Sequence, residues 1–476
     1  MFHKYIARTS CRRPSSLLPI PPMSLAKKSS HEAVQAGEHD SVSHATTAVV
    51  DDEPAPRPFS GRFRDKTPAA AEARKVYIRT VFGGMFAICL VIFVVFSIYW
   101  GSVWRTPRHP LLGWVVDFDG GAVGQAVSNA LGAIPSGRGG VRWTVVPASR
   151  FPGGIAQLQD EIVDEKAWYA VTINRGATTN LSAAVAAVDA AYNSSSAITF
   201  FGSEARNENI YRIHYRVVTA QLDAITFQFN LGFLRNMSSA NNLPQLLSTA
   251  PALVSRPVYF TSVNLRPFDV PVASAVTFVG LIYLLILAFF IVNVSAAARQ
   301  VSTLENTLTL RSLVTVRLMT SVFAYFFVAL FYTLLSRAFQ LPFDRHYGRA
   351  GFVIFWMLNF IGMLACGLAL EAALTLLTIH FVPFFLIFWI ICNVSTCVFP
   401  IATLPHIYRY GYVFPFYNIA RAVRSIVFGT KNQLGVNFAV LFVWTLISFI
   451  SIPIFQWWAR RGAARAAANA QRGEKL

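Results

Sequence analysis

Apolar residues in this chain fall into long unbroken runs. The first, residues 81–100 (VFGGMFAICLVIFVVFSIYW), carries no charge at all. An α-helix needs about that length to cross ~30 Å of hydrocarbon, where every backbone N–H and C=O has to be bonded within the segment. Five further runs follow at 272–294, 313–337, 351–377, 381–402 and 435–458. The pattern predicts an α-helical multipass membrane protein with six spans in a 1+5 plan, both termini on one side.

Between the first span and the rest the pattern changes. Short β-prone runs at 114–118 (WVVDF), 142–146, 168–174 and 198–202 (ITFFG) alternate with helix-like pieces at 122–131, 155–164 and 181–192. Alternation of that kind predicts a compact α/β domain over 101–270. A longer helical region at 207–247 returns the chain toward the membrane, and Pro257, Pro267 and Pro271 break it before the next span.

Charge assigns sides. Arg62, Arg64, Lys66, Arg74, Lys75 and Arg79 precede the first span, against Asp65 and Glu72 only. Basic flanks stay cytosolic. Residues 1–78 thus read as a disordered basic cytosolic arm, 79–100 as the first transmembrane helix, 101–270 as an exoplasmic domain, 272–458 as a five-span membrane domain and 459–476 as a basic cytosolic tail. Arg299 and Arg311 fall in a cytosolic loop. The segment 403–434 is the exception, exoplasmic yet holding Arg409, Arg421, Arg424 and Lys431. Its tyrosines and phenylalanines, and an amphipathic pattern over 416–428, place it in the interfacial zone. Gly83 and Gly84 would let another helix approach the first span closely, so that span is expected to pack into the bundle as its sixth member.

Composition agrees: 54% hydrophobic and 13% charged residues do not suit a soluble domain, where about a quarter is charged. The net charge of +18 follows topology and does not signal nucleic acid. The first thirty-one residues lack Asp and Glu, as mitochondrial presequences do. Prolines at 14, 19, 21 and 22 argue against an amphipathic helix there. A plasma-membrane location is expected, with a mitochondrial membrane as the alternative. None of the five cysteines lies in the 101–270 domain, which must then be held by an ordinary packed core.

Candidate chemistry is sparse. Walker A, GxSxG and HExxH patterns are absent, so neither enzyme activity nor a cofactor or metal is expected. Asp117 and Asp119 in VDFDGG could serve metal or acid–base work, but a strand ending in an Asp–Gly turn explains them better. Asp160, Glu161, Asp164 and Glu165 read as the solvated face and end of a helix. Glu371 is the one acid well inside a span, where a charge demands a partner or a role. Arg317 lies at similar depth on the preceding span. The two could form a structural ion pair, line a substrate or proton path, or snorkel to the interface. Asn393, Ser395 and Thr396 form a polar notch suited to interhelical hydrogen bonds. Asn180, Asn193 and Asn236 head N-glycosylation acceptor triplets.

The segments VVDFDGGAVGQAV, EKAWYAVTINRGATTNL and GSEARNENIY, placed between one span and five, resemble the fungal nitrosoguanidine-resistance membrane protein family over residues 76–458. Its marks here are Asp117 and Asp119, Trp168, and Glu204, Arg206 and Asn207. The 1+5 plan and the aromatic segment before the last span also look like the permease halves of type-2 ABC exporters. Those resemblances imply resistance to toxic compounds and an export path between helices, usually in a homodimer and driven by a separate ATPase subunit. The expected function is permease-like export of an amphipathic compound or lipid, with membrane lipids as partners. The alternative is a non-transporting scaffold or regulator whose ectodomain binds a ligand or partner.

Overall fold

The computed structural model describes residues 61–473; most of the expected disordered arm and the last three residues lie outside them. Helix α1 (Pro68–Val91) opens with proline at its first position, where no N–H is needed. Helical turns continue through a π-type segment, Ile92–Phe96, and Ser97–Val103.

The α/β domain is built on a five-stranded mixed sheet: β1 (Leu111–Asp117), β2 (Val141–Pro147), β3 (Tyr169–Ile173), β4 (Ile198–Gly202) and β5 (Phe260–Asn264), in the order β2-β1-β3-β4-β5. Strand β4 runs antiparallel to β3, and the other pairings are parallel. Three shorter helices, α2 (Ala122–Gly132), α3 (Gly154–Val163) and α4 (Ala177–Ala187), alternate with the strands, and the 30-residue α5 (Glu208–Met237) follows β4. The period-2 rule divides the core. Val115, Tyr169, Val171 and Phe200 pack with α2, α4 and α5, while Trp114, Val116, Ala170 and Phe201 pack with α3 on the other face. Strand β5 was not expected: FTSVN is short and polar, and it gains strand character from lying beside β4 at the sheet edge.

The membrane part comprises α6 (Gly280–Val301), α7 (Leu310–Ala338), α8 (Ala350–Val394), α9 (Pro415–Phe428) and α10 (Leu434–Gly473). Among the described residues five helices are long and apolar enough to cross a membrane: Pro68–Val103, Ala275–Val301, Leu310–Ala338, Ala350–Leu377 and Leu434–Arg465. The chain is an α-helical multipass membrane protein.

The expected fifth span, 381–402, is the second leg of α8 and is helical only as far as Val394. Straight, the 45-residue α8 would run about 68 Å. Yet Phe416 lines a small void with Met363 and Cys366 while its amide donates to Asn393 Oδ1 at 3.1 Å. Helix α8 must therefore double back on itself between the apolar pieces Ala350–Leu377 and Phe381–Val394, next to Pro383, which removes a helical hydrogen bond. The returning leg is only about 21 Å of helix. It stops where Ser395 Oγ bonds back to the Ile391 carbonyl and Thr396 Oγ1 to that of Asn393, so the polar notch ends the helix.

The first span also departs from expectation. Over 81–94 it is largely exposed, and a side chain at Gly83 or Gly84 would meet nothing within 4 Å. The end near Ile98 is tied to the bundle through a 2.7 Å hydrogen bond from Tyr408 Oη to the Ile98 carbonyl. The helix meets the bundle from Ile92 onward, where it contacts α8 and Tyr99 packs against the bundle core, while its earlier turns stand apart.

Candidate functional site

Helix α9 joins the two halves of the molecule. Twelve of its fourteen residues are buried, which corrects the expectation of a helix lying in the headgroup zone. Its apolar side sinks into the bundle through Phe416, Ile419, Val423 and Val427. Its arginines point into the α/β domain. Arg421 Nη1 contacts both oxygens of Glu165 at 2.8 Å, and Nη2 donates to Gln433 at 2.8 Å. Arg424 Nη1 donates to Glu208 Oε2 at 2.6 Å and to the Ala205 carbonyl at 2.9 Å. The C-terminal end is closed by Gly429, at φ +65°, whose carbonyl accepts from Arg266 Nε at 2.9 Å. A side chain there would run into the His346 ring.

The opposing surface is the segment Glu204–Glu208. Asn207 Oδ1 caps α5 at the Ile210 amide, and its Nδ2 donates to the Val398 carbonyl at 3.1 Å. Glu204 accepts from Arg212, from Asn264 and from the Phe268 amide. Arg206 lies 3.4 Å above the Trp168 ring centroid, donates to the Ala167 carbonyl and stands 3.8 Å from Glu165. Glu165 itself sits at φ +66°, an unfavourable region for a non-glycine residue, which turns its carboxylate to the seam.

Two arginines thus share one carboxylate unequally. Burial draws the Arg206 guanidinium down to about 10, and Glu165 offsets this only in part. Burial acts on Arg421 in the same direction, yet its close Glu165 pair leaves it above the ordinary arginine value. The cavity of about 350 Å³ between the halves is lined by Arg206, Arg421, Arg424 and Glu165, with Trp168, Phe399, Tyr412 and Tyr417 as apolar and aromatic wall. Three guanidiniums against two carboxylates, Glu165 and Glu208, leave one cation in excess among ring faces, which suits an anionic group attached to an apolar body.

The remaining candidates divide. Asp117 Oδ1 accepts from the amides of Asp119 and Gly120, both at 2.9 Å. Asp119 accepts from the Thr178 amide and hydroxyl and so fastens the β1 turn to α4. Neither carboxylate lines the seam cavity. Asn180, Asn193 and Asn236 are exposed on the domain surface. Asn393 and Thr396 lie under the seam, Asn393 holding the start of α9.

Glu371 and Arg317 meet at the other end of the bundle. The α8 start is beside the α/β domain, where Arg345 Nη1 pairs with Asp269 at 2.9 Å. Glu371 lies some twenty residues further, ~30 Å of helix. Arg317 Nε donates to Glu371 Oε1 at 2.6 Å, and its two other nitrogens reach Gln456 Oε1, Thr375 Oγ1 and the Glu371 carbonyl. Arg299 joins them, with Nη2 3.1 Å from the same Oε1. Sequence reasoning missed Arg299, counted as a loop cation, and Glu165 and Glu208. Only distance contacts identify them, since short-range patterns mark all three as surface charges.

A family model described as a protein of unknown function, DUF3533, matches residues 84–450. The chain belongs to the DUF3533 family. The match runs from the last third of α1 through the sheet and the seam into the first half of α10. This DUF3533 chain is also 26% identical, over 90% of both chains, to an uncharacterized endoplasmic reticulum membrane protein of Saccharomyces cerevisiae. No solved structure matches it significantly.

Proposed function

We propose that this chain is a permease-like membrane protein that captures an amphipathic molecule with an anionic group at the seam and passes it across the membrane. The seam cavity carries this reading: Arg206, the guanidinium least satisfied by Glu165, borders it beside Trp168. The ligand's charge would meet Arg206 and its apolar body the aromatic wall. Charged groups at the seam are held in ion pairs and turned toward binding, so we infer no bond-making step there.

The α/β domain is placed on the exoplasmic side in this reading. Arg421 and Arg424 are neutralised by domain acids, so they cease to count as a free basic flank and the positive-inside balance holds. The relative's name supports an endoplasmic reticulum membrane over the plasma membrane. Resistance to toxic amphiphiles, a homodimer and a separate ATPase subunit belong to the same reading.

A second reading is favoured by one observation. Beneath α9 the bundle is packed, with a void of only about 10 Å³ between Leu284, Asn359 and Ile419. A binding scaffold or regulator needs no path through it. Full-length protein in phosphatidylcholine liposomes, offered a fluorescent anionic amphiphile, separates the two. Capture and flux, both reduced about tenfold by Arg206→Gln, support the permease. Capture without flux under any supplied gradient or ATPase supports the scaffold, and absence of capture overturns both.

A further inference from the structure

The Arg299 cluster carries an unbalanced charge. One carboxylate, Glu371, receives both Arg299 and Arg317 on a single oxygen. All three residues are at least nine-tenths buried. Arg317 is fully engaged, since each of its nitrogens has a partner. Arg299 is not: Nη1 holds Ser295 and Nη2 reaches Glu371, but Nε has no partner among the described residues. A buried cation in excess is costly unless something of opposite charge meets it.

Arg299 separates two spaces of different character. On one side is a cavity of about 440 Å³ whose wall mixes Arg317, Thr375, Gln456 and Glu305 with Leu374 and Ile379. On the other is a groove of about 560 Å³ between α6 and α7, walled by Phe290, Ile291, Val294, Val316 and Ala324. Glu305 is the opposing charge in the first cavity's wall, and Arg460 is bonded to its backbone carbonyl. Over the whole cluster three guanidiniums face two carboxylates. A small anion would use the first cavity alone and leave the groove unexplained. A phosphate joined to an acyl chain uses both.

We infer that Arg299 and the α6–α7 groove form a binding site for an anionic glycerophospholipid, in the membrane half remote from the α/β domain. The lipid phosphate contacts Arg299, and one acyl chain lies along Phe290, Val294 and Val316. The site is independent of the seam cavity and of any transport.

Native mass spectrometry of the full-length protein in detergent tests it, with dioctanoyl phosphatidic acid as probe. One lipid is expected to bind, with affinity lowered about tenfold or more by Arg299→Gln. Ala298→Trp, at an exposed position facing the groove, leaves every charge in place and should weaken binding as strongly. Dioctanoylglycerol, which lacks the phosphate, should bind at least tenfold more weakly than the phosphatidic acid. Unchanged binding in either variant overturns the site. Inorganic phosphate competing at the lipid's own concentration would also overturn it, by showing an anion pocket without a lipid site.

Discussion

At the scale of the residue, Glu371 is the most exposed to consequence. It is the single carboxylate holding two buried arginines, so Glu371→Gln leaves both uncompensated. Breaking a buried pair in this way costs roughly 3–5 kcal/mol. Thermal unfolding of the Glu371→Gln protein in detergent should show that loss, and adding Arg299→Gln should recover part of it. If the double variant is no more stable than the single, the two guanidiniums do not depend on Glu371. The Arg317–Glu371 proximity was legible in the sequence because a charge within an apolar run needs a partner. Arg299 was not, because a residue in the last turn of a helix looks the same whether it faces solvent or the core.

Glu208 gives a pH signature at the same scale. Burial alone would raise its pKa, but Arg424 outweighs burial and holds it below the ordinary carboxylate value. A depressed folded value means that the pair's contribution is complete above the unfolded value of about 4.3 and is lost as pH falls through the lower folded value. In limited proteolysis of the α/β domain the difference between the parent and Glu208→Gln should therefore be constant from about pH 5 to 8 and close only in stronger acid. A difference unchanged in acid would not come from this pair.

Among elements, α9 decides how the halves act on each other. It is buried on both sides, and its arginines reach two separate parts of the domain, Glu165 after α3 and Glu208 at the start of α5. A double-mutant cycle of Arg421→Gln with Glu165→Gln, followed by thermal unfolding, should give a coupling of about 1–3 kcal/mol, as for other contacting charge pairs. Coupling near zero would make the seam a passive contact. The amphipathic period of this helix was legible from Ile419, Val423 and Val427. Its partner was not, because two polar arginines point to water or to protein equally well. The sheet was read more fully, since alternation at Trp114–Val116 leaves little choice, whereas β5 has no such alternation. The reversal within α8 was legible, because the apolar runs 351–377 and 381–402 read as two successive spans; that the second leg stops being helical at Val394 was not.

For the whole molecule the open matter is which side of the membrane holds the domain. Asn180, Asn193 and Asn236 are all exposed on it, so one experiment reads them together. In sealed microsomes an endoglycosidase-sensitive mass shift that depends on these asparagines is expected, with the domain resistant to added protease. Cleavage of the domain by external protease, with no shift, would invert the topology and remove the exoplasmic capture step.

The first helix touches the bundle over its last turns, from Ile92 onward, where Tyr99 packs on the core and Tyr408 holds the Ile98 carbonyl. Over 81–90 the helix is largely uncovered by the rest of the chain, so in a bilayer these residues need only be apolar. That stretch is portable. An unrelated apolar helix grafted there should leave folding and ligand capture unchanged, while a Tyr408→Phe exchange, 310 residues from Ile98 in sequence yet adjacent in space, should loosen it. Sequence drift along this span would then follow hydropathy alone, and selection for particular residues would begin only where the tether does.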